Sequence, residues 1–352
     1  MRYWMVVIVL LLNGIIQTQA QDDPYQIALE RIADAEEIGA TALDLRSIGL
    51  ADIPPEIGNL TNLRTLYLSN NQLNSLPPEI GNLTNLRYLS LSSNQLSSLP
   101  PEFGQLVRLQ NLILYYNQLD SLPPEFGNLI NLQDLNIHNN QLDSLPPEFG
   151  QLSNLRDLYL NNNQLSALPA EFGNLSNLNH LDLANNQFSS LPPEIGNLDS
   201  LGFLSLYNNQ LNSLPAEIGQ LVTLETLRLS FNNLSDLPPE IGNLTNLCEL
   251  GLEENNFSSV PTVVNTIERL DTQNNCPNWM RGLTFGETQI SNTFSDGTPA
   301  IRNPIENESF WHTRRLMISG ASAISGIVLL ILGLRWQYRR RRKPKQKREM
   351  KG

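Results

Sequence analysis

The sequence predicts an α/β solenoid, a stack of short coils with one parallel sheet along its inner face. Three observations predict it. Leucines recur at a constant step of 23 residues, at Leu63, Leu86, Leu109, Leu132, Leu155, Leu178, Leu201, Leu224 and Leu247; a fixed period of that size marks stacked units rather than one large core. Each step repeats LxxLxLxxNxL, as in Leu63, Leu66, Leu68, Asn71 and Leu73. Its LxL portion alternates with period two, which gives a short strand with leucines inward and the intervening side chains outward. Each step then continues as SLPPEIGNL or a near variant, and prolines cannot donate to a ladder, so the strand ends and the chain turns back.

From the N-terminus, residues 1–20 read as a secretory signal. Arg2 is the charged start, Trp4–Leu12 the apolar run, and Thr18, Gln19 and Ala20 the cleavage site. Asn13 and Gly14 cut that run short of the ~20 residues a membrane span needs. Residues 21–39 read as an N-terminal helical cap: Ile27, Ala28, Ile32, Ala35 and Ile38 fall at helical spacing, and Gly39 suits a C-cap. Such a helix covers the open edge of the first coil, which otherwise exposes apolar core and an unpaired strand. Ten units follow over 40–269; the first, opened by Ala40, diverges and carries Ile48 where the others carry Asn.

These motifs identify residues 40–269 as resembling the leucine-rich-repeat family. The LPPEIGNL wording is similar to Ras-suppressor-like repeats and to many bacterial arrays. Plant receptor ectodomains are similar too, but their longer unit carries LxGxIP, which is absent here. The resemblance implies a leucine-rich-repeat horseshoe with a parallel concave sheet. It also implies a ladder made by Asn71, Asn94, Asn117, Asn140, Asn163, Asn186, Asn209, Asn232 and Asn255, whose amides satisfy backbone groups at the bend after each strand. A first unit has no earlier coil to bond, which fits Ile48.

Pro261, Val263 and Val264 break the consensus, and Leu270 opens a unit that is never finished, so the array is expected to stop there. Residues 270–315 read as a C-terminal flank and stalk, polar and without periodicity from 277 onward. Residues 316–334 are apolar and uncharged; as a helix they reach about 28 Å, close to the ~30 Å hydrocarbon core. Arg335, Arg339, Arg340, Arg341, Arg342 and Lys343 follow, so residues 335–352 form a basic tail held on the cytoplasmic side. The expected location is the cell membrane, single-pass type I, with the repeats extracellular and the C-terminus cytoplasmic. Ser319, Ser322, Ala323, Gly326 and Gly333 fall near one face of the span, and small residues there allow a homodimer.

The composition narrows the function classes. Ten of the 23 basic residues lie between Arg335 and Lys351, and all four lysines are among them. The remaining body is strongly acidic, a poor partner for nucleic acid. No phosphate-cradling glycine loop, nucleophile elbow or metal-spaced His/Cys cluster occurs, so the chain is read as no enzyme, with no cofactor and no metal. Glutamates recur after Pro-Pro or Pro-Ala in nine of the ten units, as at Glu56 and Glu148, where each favours the positive end of the turn that proline starts. Cys248 and Cys276, the only cysteines, form a candidate disulfide in an exported chain.

Packing fixes the inward positions, so information about a partner must sit at the outward ones: two, three, five, seven and eight of the unit. Tyr67, Tyr88, Ile113, Tyr115, Tyr116, Tyr159, Phe203, Tyr207 and Phe231 occupy them, with Asp134, His138, Asp157, His180, Asp182 and Arg228. Rings flanked by charge are what protein interfaces favour, although aromatic residues also suit a pleated surface. The expected function is extracellular recognition of a protein, peptide or glycan across the concave face. The alternative is a structural or co-receptor surface component acting by self-association.

Overall fold

The structure, a computed structural model, describes residues 23–266 and 282–284. The expected signal at 1–20, the span at 316–334 and the tail at 335–352 lie outside the described residues, among which no helix is long and apolar enough to cross a membrane.

The described strands form one 11-stranded parallel sheet in sequence order, beginning with β1 (Ala42–Asp44). Register advances by one unit per strand, so Thr65 pairs with Tyr88, Tyr88 with Asn111 and Asn111 with Asp134. The central leucine of each strand points inward; Leu66, Leu89, Leu135 and Leu158 are fully buried. Burial of each such side chain contributes about 1.5–3 kcal/mol. After the strand the chain crosses the coil and makes a five-residue 3-10 turn, such as Pro147–Gln151, with proline at its first position and a glutamate in its first turn. Phe103, Phe126, Phe149 and Phe172 come from four successive turns and stack through the core, neighbouring centroids being 6.1–6.3 Å apart.

Two residue types set the coil spacing. A Cβ at Gly150 would stand 2.2 Å from the carbonyl oxygen of Glu171 in the next coil, so only glycine lets the turns approach this closely. At the bend after each strand, Asn140 accepts from the Leu119 N–H at 3.0 Å and donates to the carbonyls of Leu114 and Ile137 at 3.1 and 3.0 Å. The same bridge recurs at every coil from Asn71 to Asn255, as the family resemblance implies. Asn71 serves the first coil too, accepting from the Ile48 N–H at 3.1 Å.

Helix α1 (Pro24–Glu37) starts at Asp23, whose side chain accepts from the Tyr25 N–H. Ala28, Ile32 and Ala35 are buried and join the core. Ile38 does not lie on that face as its spacing suggested: it is 60% exposed. The helix ends at Glu37, and Gly39, with φ of +60°, turns the chain away.

The other end differs from expectation as well. The sheet does not stop with the tenth unit: β11 (Gly282–Thr284) pairs in parallel with β10 (Glu249–Gly251) inside the segment read as flank and stalk. The step between paired residues Leu250 and Leu283 is 33 rather than 23, so a fixed period could not find it.

Candidate ligand-binding face

The outward positions run as rows across the strands, and adjacent side chains in a row stand about 4.8 Å apart, close enough to shield one another. That lateral packing decides which of the expected residues meet solvent. Tyr67, Tyr88, Tyr115, Asp134, His138, Asp157, Tyr159, Asp182 and Phe203 are half-buried, and Arg228 is exposed. Ile113 and His180, expected as surface contacts, are buried at 6% and 8% exposure. His180 is sandwiched between Tyr159 at 4.8 Å and Phe203 at 4.1 Å, while Ile113 sits between Ser90 and Asn136 in its row. Both present little surface to solvent.

The rings form separate groups. Arg46 lies over Tyr67 at 4.7 Å, and Tyr67 meets Tyr88 at 5.4 Å. Tyr115 stacks on His138 at 4.8 Å, and Tyr116 closes on both at 5.5 Å. Tyr159, His180 and Phe203 continue the row to Arg228, whose guanidinium lies 5.3 Å from the Phe203 ring and bonds Glu249 at 2.8 Å. Tyr207 and Phe231 pair at 5.1 Å.

Between these groups the face is polar and acidic. Asp134 bonds the Asn111 amide, Asp157 is its row neighbour, and Asp182 accepts from the Ala184 N–H at 3.0 Å. Burial pushes the Asp182 carboxyl above its ordinary range, against the hydrogen bonds of Ala184 and Ser205 and the charge of Arg228. Burial also lowers His138 to about 4. Among the described residues no group of His, Cys, Asp and Glu is placed to hold a metal ion. Cys248 is disulfide-bonded; Cys276, the other cysteine in the chain, lies outside the described residues.

Backbone conformation separates Tyr116 and Phe231 from the other rings. Position eight of every unit has positive φ; it is filled by Ser or Asn at Ser47, Asn70, Ser93, Asn139, Asn162, Asn185 and Asn208, and by Glu254 in the tenth unit. Ser and Asn tolerate the left-handed region; bulky residues do not. Tyr116 at φ 55° and Phe231 at φ 59° stand there nonetheless, 53% and 43% exposed. The run of Asn and Ser at this position was the signal in the sequence for that geometry.

A single sheet of parallel three-residue strands, returned by 3-10 turns and tied by an asparagine at every bend, defines a leucine-rich-repeat solenoid. The chain belongs to the leucine-rich repeat family. Residues 78–158 and 193–278 match the leucine-rich repeat region, 39–96 the leucine rich repeat, and 153–193 the two-copy form. A leucine-rich-repeat protein of Leptospira interrogans is similar over 67% of this chain and 61% of its own, at 43% identity and a TM-score of 0.64. The plant peptide hormone receptor RGFR1, solved in complex with RGF2, shares 32% identity over 66% of this chain and 43% of its own, with a TM-score of 0.52. A TDR receptor shares 28% identity over 67% of this chain and 48% of its own, at the same TM-score of 0.52. The chain thus spans less than two thirds of each. No curated protein matches it.

Proposed function

We propose that this chain is a cell-surface recognition protein, which binds an extracellular protein or peptide across the sheet face of its repeats. The observation that carries the reading is the placement of Tyr116 and Phe231. Strand propensity accounts for rings at positions three and five, but position eight is left-handed, and a bulky residue in such a region costs roughly 1–3 kcal/mol. Fold stability favours Asn there, so the exposed rings are kept for something outside the fold. Each is flanked by further rings, Tyr115 and His138 in one case and Tyr207 in the other, and amphipathic clusters of this kind anchor interfaces. The structural likeness to a peptide hormone receptor solved with its peptide supports protein or peptide partners. Export by the 1–20 signal and anchoring by 316–334 belong to the same proposal.

The test is a photo-reactive phenylalanine analogue at position 116 of the full chain, expressed in its own cells, with a second site at Glu148 on the turn side as control. Adducts with a foreign protein or peptide, specific to position 116, support recognition. Adducts only with a second copy of the chain support the self-association alternative, and equal adducts at both sites remove the face from consideration.

A further inference from the structure

The edge of the sheet where the strands begin carries a cavity of about 180 Å³ over the first three coils, lined by Thr41, Asn62, Asn85, Arg64, Arg87 and Arg108 together with Gly39. The residue before each leading leucine is usually an asparagine whose amide donates to a carbonyl one coil back, as Asn131 does to Val107 and Asn154 to Ile130, both at 2.7 Å. Arg108 takes that place at the end of the third coil, and its guanidinium donates instead to the Asn85 side chain, on the cavity wall. Arg64 and Arg87 hold position two in two adjacent coils, their strands about 4.8 Å apart. The ion pairs of the described residues are Arg46 with Asp44 and Arg228 with Glu249; none of these three arginines has an acidic partner there. The Asn62 amide likewise makes no hydrogen bond among the described residues, since helix α1 replaces the coil it would reach.

Three uncompensated guanidinium groups converge on one cavity in a chain of net charge -12. Like charges gathered this way repel, and an oxyanion relieves them, because the planar guanidinium fork matches a carboxylate or sulfate in two parallel bonds. No apolar side chain lines the cavity, so it offers no anchor for a peptide side chain, whereas amide and hydroxyl groups suit sugar hydroxyls. We propose that this cavity binds an acidic sugar unit, its sulfate or carboxylate held by Arg64, Arg87 and Arg108 and its hydroxyls by Asn62 and Thr41. The site is separate from the rings of the sheet face and stands or falls independently of them.

Calorimetric titration of the full chain tests it with four probes: a heparin tetrasaccharide, a hyaluronan tetrasaccharide, neutral cellotetraose and pentaglutamate. An acidic tetrasaccharide is expected to bind while cellotetraose does not, with affinity falling as salt rises. Binding of heparin alone identifies sulfate as the recognised group, and binding of both includes carboxylate. R64Q/R87Q is expected to weaken binding by roughly tenfold or more, since each lost charge-assisted bond is among the stronger contacts. R108N restores the residue this row otherwise carries, so it should fold with an unchanged melting temperature and still lose affinity. The proposal is overturned if neither acidic tetrasaccharide binds, if both variants bind as the parent does, or if pentaglutamate binds equally well.

Discussion

The rings of Tyr115 and His138 lie parallel in adjacent coils, 4.8 Å between centroids and 1° between planes, with Tyr116 edge-on to both. This arrangement removes much of the imidazole from water, and burial lowers His138 from 6.5 to about 4. The ring is therefore neutral in the folded chain at neutral pH and serves as an aromatic surface rather than as a cation.

A pH dependence follows. Above pH 6.5 the imidazole is neutral whether the chain is folded or not, and its full contribution is present. As pH falls from 6.5 towards 4, the unfolded chain takes up a proton that the folded chain resists, so stability declines. Because part of the ring still meets solvent, the loss is discounted to about 1 kcal/mol. Melting curves at pH 7.5 and pH 5 should show a larger drop for the parent than for His138→Phe; equal drops would assign the effect elsewhere.

Asp182 has the opposite sign. Its carboxyl is pushed up by burial despite Ala184, Ser205 and Arg228, so the charged form is resisted in the fold and the residue's contribution falls as pH rises through the ordinary carboxylate range. Asp182→Asn keeps an acceptor for the Ala184 N–H and removes the charge. The variant is expected to melt higher than the parent at pH 7, with the difference vanishing near pH 3. A lower melting temperature at pH 7 would mean that Arg228 and Ser205 outweigh burial.

At Tyr116 and Phe231 stability and binding should part company. Asn is the commonest residue at this left-handed position, and relieving a bulky side chain there should return about 1 kcal/mol. For an array of this size that is a rise of about 2 °C in melting temperature. Phe231→Asn should show it most clearly, since it gives up one ring contact, with Tyr207, where Tyr116→Asn gives up two, with Tyr115 and His138. Once a partner is in hand, the same two variants should bind it more weakly, by about 2 kcal/mol for a central anchor. Stabilised variants with unchanged affinity would leave the rings without a binding role.

The repeat was legible because its determinants are local and periodic. Leu66 and Leu68 fill their own coil and Asn71 ties it to the coil before, and the same jobs recur 23 residues on. What was not legible depends on neighbours across coils. Ile113 and His180 occupy outward positions, yet their row partners bury them, and the pattern of a single unit contains no such information. Arg64, Arg87 and Arg108 are spread over 45 sequence positions and meet at one cavity only because register aligns the coils. Leu283 lies off the period, so its strand was invisible to a repeat count.

The N-terminal helix permits a test of how the array is closed. Ala28, Ile32 and Ala35 rest in the same core as Leu43 and Leu45 of the first coil, and in a stack where each unit contacts only its neighbours, loosening one end should spread inward with diminishing effect. Ile32 is 1% exposed, so Ile32→Ala removes buried methylenes at a cost of about 2–5 kcal/mol. Hydrogen exchange on the variant should show faster exchange at Leu45, Leu68 and their neighbours, while amides around Leu204 and Leu227 keep parental protection. Ile32→Val, at about 1 kcal/mol, should show the same gradient in weaker form. Exchange that accelerates evenly along the whole stack would mean that the array unfolds as one unit, and exchange unchanged in the first two coils would mean that the helix does not guard them. The gradient alone establishes the helix as a cap, because a merely adjacent helix could be loosened without the sheet behind it responding.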